Sequence, residues 1–387
     1  MTSQTTTHAR RPRPARPRWW RRRETYPATF ALALMLTAGA VSGLAATPAW
    51  AACGYHITAT IPVGQSPEDV AVTPNGTRAY VANGNANTVS VINTATNHVT
   101  ATISVGMYPL GVAVSPDGSR VYVTDYFSGT MSVISTATNK ITATIGVGVT
   151  PLQVALNPAG TRAYVASTGS DTVAVVNTAT NTVTATIPVG SNPDGVAVTP
   201  NGARVYVTNS VGNTVSVINT ATNTVTATIP VGFGPFSVAV TPNGARAYVT
   251  NWVDDTISVI STATNTVTDT ISVSAAPYGA AVSPNGTRAY ITTNISLVVI
   301  NTATNKVIAN VYGLDNSHSV AVSPNGTHLY ATNYDMNTVR DHPHVTGDGG
   351  LSAGPDPSTG RWHGSGLLVI APRGSQVCGA TRFESHA

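Results

Sequence analysis

The sequence predicts an all-β fold, a seven-bladed β-propeller of four-stranded antiparallel blades, on three observations. A Pro-Asn-Gly marker or a close variant begins at Pro74, Pro116, Pro158, Pro200, Pro242, Pro284 and Pro324, a step of about 42 residues. A fixed period of that size belongs to radial arrays of small sheets. Each copy alternates β-branched or aromatic residues with small polar ones, and none carries a helical apolar stripe. The alternating runs are separated by residues with turn chemistry.

The copy from 196 to 232 shows the elements in order. Its strands are read as Val196–Thr199, Arg204–Thr208, Thr214–Ile218 and Thr224–Val231. Pro200 presets a turn and Asn201-Gly202 tolerates positive φ, so the first two strands form a tight hairpin. Asn219-Thr-Ala-Thr-Asn223 supplies a second polar turn, between the third and fourth strands. The first strand of each copy centres on a small residue: Ala71, Ala113, Ala155, Ala197, Ala239, Ala281 or Ala321. A small side chain suits the crowded axis, so this strand is placed innermost. Stacking the sheets around that axis buries faces that a lone sheet would leave open.

The second strand carries Tyr-Val-Thr-Asn at Tyr206–Asn209 and Tyr248–Asn251. Relaxed versions stand at Tyr80–Asn83, Tyr122–Asp125, Tyr164–Ser167, Tyr290–Thr293 and Tyr330–Asn333. On these residues the chain resembles the YVTN-type β-propellers over roughly 55 to 339. The resemblance implies a prokaryotic secreted or cell-surface setting. It implies no single activity, because the family has none.

The ends differ from the repeats. Residues 1–51 run from a basic stretch, Arg10 to Arg23, through an apolar run, Phe30 to Leu44, to Ala49-Trp-Ala51. That order marks a secretory signal peptide cleaved after Ala51. Arg21-Arg22-Arg23 suits twin-arginine export as well, but the absence of apolar residues just after the pair favours general secretion. The apolar run is too weak for a strong membrane span, so no transmembrane segment is expected after cleavage. The leader holds eight of the 20 basic and one of the 16 acidic residues, so the remainder is slightly acidic. Nucleic acid is not an expected partner. Arg78, Arg120, Arg162, Arg204, Arg246 and Arg288 recur after the Pro-Asn-Gly turn and are read as blade parts bonded to turn carbonyls.

Cys53 and Cys378 stand near the two ends of the mature chain and suit a disulfide. A lipidated Cys53 or two free thiols are the alternatives. After Val339 the last copy gives way to a Gly/Pro-rich tail or insertion, 340–387, in which Leu367–Ile370 looks like a recovered strand. A shifted reading frame after Val339 is the rival origin. The early strand 56–63 copies an outer strand and is expected to close the ring, giving a propeller over 52–339.

Function is sought where the copies differ. The Pro-Asn-Gly and Asn-Thr-Ala-Thr-Asn turns share one uniform face, whereas the blade links and the loops after the signature vary on the other. The ligand-binding candidates there are Tyr108, Tyr126, Phe127, Phe236, Trp252, Tyr278, Tyr334, Asp69, Asp194, Asp254 and His318. Aromatic rings among carboxylates suit a sugar or an anchored protein partner. The expected protein is a monomeric, exported scaffold that binds a glycan or protein of the cell envelope. The alternative is a secreted lactonase- or lyase-like enzyme with its site at the axial channel mouth near Asp69, Asp194 and His318. No catalytic residue, metal site or cofactor is assigned, since no nucleophile elbow, zinc helix or phosphate loop is found.

Overall fold

The computed structural model describes residues 55–314, 316–334 and the strand 366–372. The leader, both cysteines and the remainder of the tail lie outside the described residues. Everything described belongs to one compact unit, 49–387. Among these residues no helix is long and apolar enough to cross a membrane.

Six blades are each built from four consecutive strands of one repeat. In the fourth, the strands are Pro193–Val198, Arg204–Asn209, Thr214–Asn219 and Thr224–Pro230. The expectation of seven like blades is corrected here. The last sheet is a composite, ordered Tyr55–Pro62, Gly366–Pro372, Leu329–Asn333, Val320–Val322. Its two outer places are taken by Gly366–Pro372 and by Tyr55–Pro62, from the other side of the chain. All of these pairings are antiparallel.

The second and third strands of each of the six like blades are buried on both faces, while the outer strand is largely exposed. Between neighbouring blades the tyrosine of the signature sits in the core: Tyr80, Tyr164, Tyr206 and Tyr248 are fully enclosed. A ring of that size fills the wedge that opens between two sheets as they diverge from the axis.

The threonine of the signature bridges blades. Thr208 Oγ1 accepts from Gly195 N at 2.7 Å in its own inner strand and donates to Phe236 O at 2.9 Å in the next. Thr124 and Thr250 repeat this, reaching Leu152 O and Tyr278 O. Asn209 donates from Nδ2 to Thr214 Oγ1 and Ser216 Oγ, tying the second strand to the third. The signature is thus a set of answers to buried backbone and hydroxyl groups.

On the uniform face the turns touch in a closed circle. Asn201 accepts from Thr199 Oγ1 at 2.7 Å and from Ala203 N at 3.0 Å, and Gly202 has φ 71°. A methyl group on Gly202 would lie 3.4 Å from the ring of Pro158 in the preceding turn. The same relation runs around the disc and closes between Gly76 and Pro324. The repeated arginines cross the same seams. Arg78 Nη1 donates to Thr136 O at 2.6 Å and Arg162 Nη1 to Thr220 O at 2.7 Å, each in the following blade. Arg120, Arg204 and Arg246 do likewise. The turn-carbonyl role read from sequence holds, with the carbonyl belonging to a neighbour.

Thr208→Val keeps shape but strands a buried N–H and a buried C=O. It should cost about 1–3 kcal/mol, read as a lower urea midpoint, whereas Thr228→Val on the exposed outer strand should change little.

Candidate functional site

The variable face is organised by hydrogen bonds between the blade links and the loops after the signature. Gly84 N donates to Ser66 O at 2.8 Å, and Tyr126 N to Tyr108 O at 3.0 Å. These paired loops surround the axis. Residues at the start of the inner strands, after the proline in six copies and after Ser317 in the seventh, line a cavity of about 190 Å³ there, among them Glu68, Asp69, Gln153, Asp194, Phe236 and His318. Below them Val70, Val196, Val238 and Val320 form an apolar floor.

Packing around the axis sets which positions can carry function. Gly111, Gly195 and Gly279 lie against the next inner strand so closely that a methyl group would fall within 2.5–2.6 Å of a backbone oxygen. The equivalent positions in the other blades hold Asp69, Gln153, Ser237 and Ser319. Glycine therefore alternates with a polar side chain around most of the ring. Asp69 accepts from Val70 N and Val112 N, each at 2.8 Å, and from Ser319 Oγ. It joins the first blade to the second, where Ala82 replaces the bridging threonine of the signature. Burial raises the Asp69 carboxyl above its usual range, against the pull of these hydrogen bonds.

Glu68 gathers the seam with the composite sheet. Its Oε2 lies 2.6 Å from His318 Nδ1, and its Oε1 accepts from Tyr108 Oη at 2.9 Å. Tyr108 Oη is in turn 3.3 Å from Tyr334 Oη. Burial, then the neighbouring Glu68 charge, raises the Tyr108 hydroxyl.

All the aromatic candidates except Trp252, with His318 among them, form an arc. Phe236 meets Tyr278 edge-on at 5.6 Å, Tyr278 meets His318 at 5.1 Å, and His318 stacks on Tyr334 at 4.5 Å. Tyr108 continues the arc to Phe127 at 5.4 Å and Tyr126 at 6.4 Å. Tyr108, Tyr126, Tyr278 and Tyr334 are buried, so they build the wall of the mouth instead of offering open faces.

Asp194 stands apart from these networks. It is 5% exposed and lines the cavity, and Thr168 Oγ1 donates to it at 3.1 Å. Burial pushes its carboxyl up to about 7, with the Ser210 and Thr168 hydroxyls pulling the other way. The ion pair among the described residues is His318–Glu68, so neither Asp194 nor Asp69 has a cationic partner there.

Of the eleven candidates, Asp69, Asp194, Phe236 and His318 line the cavity, Tyr108, Tyr126, Phe127, Tyr278 and Tyr334 join the ring contacts around it, and Trp252 and Asp254 do neither. Trp252 N donates to Gly234 O at 3.1 Å and its ring covers Gly234. Asp254 Oδ2 accepts from Phe233 N at 2.6 Å. Both hold the link between the fourth and fifth blades in place. Glu68 and Gln153 were missing from the candidates. Their signal lay in the two residues after each inner-strand proline, which read Glu-Asp, Leu-Gly, Leu-Gln, Asp-Gly, Phe-Ser and Tyr-Gly in otherwise near-identical copies.

Charge divides between the faces. Every Lys and Arg among the described residues lies on the uniform face: the six repeated arginines, with Lys140 and Lys306 opening outer strands. Glu68, Asp69, Asp125, Asp171, Asp194, Asp254 and Asp255 lie on the variable face, leaving Asp117 and Asp269 as the described acids toward the uniform one.

The family profile of YNCE-like β-propellers matches residues 154–245, parts of three repeats. Over those residues the chain is similar to the YNCE-like β-propellers, and the ring of four-stranded blades agrees with that likeness. No curated protein matches the sequence of this propeller. Among solved structures it is similar to a chain of Kuenenia stuttgartiensis hydrazine synthase, at 22% identity and a TM-score of 0.63. The likeness covers 70% of this chain and 94% of that one. At that identity the likeness concerns the fold.

Because its folded value is raised, Asp194 favours the folded state at low pH, and this contribution is lost as pH rises through about 7. Asp194→Asn should therefore be relatively more stable at pH 8 than at pH 4 when compared with the parent. Melting temperatures of the two proteins across that range check the sign.

Proposed function

We propose that this propeller is an exported binding module whose ligand site is the axial mouth on the variable face. Its ligand is a small molecule carrying a positive charge or several hydrogen-bond donors. The observation that carries the reading is Asp194, a buried carboxylate lining a cavity without a cationic partner, on a face devoid of Lys and Arg among the described residues. A low-dielectric mouth lined by one sign of charge concentrates the opposite sign. Acceptors at Asp194, Glu68 and Gln153 above a floor of valines suit a compact ligand with a polar head.

A broad glycan surface fits less well, because the rings expected to stack on sugars are mostly walls. Export rests on the leader. The secreted enzyme is the second reading, favoured by the close contact of Glu68 with His318 at the same cavity. A carboxylate that orients an imidazole is an arrangement used in proton transfer.

The test is a thermal-shift and calorimetric screen of the full chain against small amines, polyamines, amino acids and sugars, with Asp194→Asn and Phe236→Ala alongside. We expect amines to bind the parent and to lose at least tenfold in affinity with Asp194→Asn. Binding of neutral sugars alone, unchanged in both variants, would sink the mouth as the site. Turnover of a bound compound that His318→Gln abolishes while binding persists would establish the enzyme instead.

A further inference from the structure

The uniform face has received only a structural role so far, as the side of the turns and the arginine clips. We infer that it is also a docking surface for a linear phosphate polyanion. The clips consume hydrogen bonds but not charge, because each guanidinium donates to a neutral carbonyl. The ion pair among the described residues lies on the opposite face, so no carboxylate within 4.0 Å neutralises these cations. Two acids lie toward this face: Asp117, in the second blade's turn, is held by Ser115 and Ser119 and attracted by Arg120, and Asp269, on an outer strand, accepts from Asn305 in a turn of the next blade.

The geometry favours a chain over a point ligand. An arginine recurs in each of the six like blades around the disc, with Lys140 and Lys306 beside two of them, and the cavity at the axis opens among acids on the other side. Clipping holds the guanidiniums in fixed places, so little side-chain freedom is lost when an anion arrives. Exposed Asn-Thr-Ala-Thr-Asn turns beside them add hydroxyl and amide donors. The same face argues against two other polyanionic surfaces. Trp252, Phe127, Phe233 and Phe236, every Trp and Phe among the described residues, lie on the variable side. Single-stranded nucleic acid is held largely by base stacking on such rings, and membrane surfaces by aromatic side chains at the interface. A polymer bound here would leave the acidic mouth facing outward.

The experiment measures binding of the full chain to inorganic polyphosphate across a salt series, beside single-stranded DNA and vesicles containing anionic lipid. The test variant is Lys140→Ser/Arg288→Ser/Lys306→Ser. None of these residues clips a described neighbouring blade, since Arg288 Nη1 bonds its own Thr287 O. The arginines of the leader are common to parent and variant and cancel in the comparison. Each lost contact should lower the slope of log K against log salt by about 0.7, so the triple variant should lose roughly 2 in slope. At low salt its affinity should fall at least tenfold, with an unchanged melting temperature. Lys140→Arg/Lys306→Arg should bind like the parent. Unaltered affinity and slope in the triple variant would overturn the inference. So would DNA or vesicles binding as tightly as polyphosphate, with the same sensitivity to the triple variant.

Discussion

No blade of this protein is complete by itself. The hydroxyl of Thr208 serves a carbonyl of the next inner strand, Arg162 serves a carbonyl of the next turn, and Tyr206 fills a space that exists only when a neighbour is present. Each seam therefore takes its polar partners from two repeats. Removing one repeat would leave buried groups unsatisfied on both sides, which is what makes the ring cooperative despite its modular sequence.

That constraint explains where variation is tolerated. Residues that complete a neighbour's hydrogen bonds recur in nearly every copy, because each seam poses the same problem. The two positions after the inner-strand proline have no such duty in most blades. They bring side chains to the mouth of the axial cavity, above the uniform valine floor, and there the copies part company into acids, aromatics, amides, leucine, serine and glycine. Asp69 is an intermediate case, facing the mouth while replacing the threonine bridge that Ala82 cannot make. A single carboxylate can thus belong both to the frame and to the site.

Much of this was legible in the sequence. The period, the turn types, the inner position of the strand centred on Ala197 and the division into uniform and variable faces all follow from local chemistry. The closeness of Tyr108, Tyr334, His318 and Glu68 does not. They are separated by up to 266 positions of chain and are joined only because the ring closes, which no local pattern encodes. The burial of Tyr126 and Tyr278 was hidden for a related reason, since a loop aromatic reads the same whether it faces solvent or a neighbouring loop. The segregation of charge was present in the spacing of Arg78 and its repeats, yet it becomes a property of a surface only once both turns of a blade are known to share one side.

The composite sheet has a consequence for timing. Its edge strand Tyr55–Pro62 emerges early in synthesis and pairs with Gly366–Pro372, near the other end of the chain. Until that late segment exists, the growing array has two exposed sheet edges and no way to join them. Closure by such distant pairing is slow compared with the local hairpins that precede it. The finished disc is consequently a product of the whole polypeptide, and any process that holds the early strand extended, such as passage through a narrow pore, postpones the final shape without disturbing the blades that assemble afterwards.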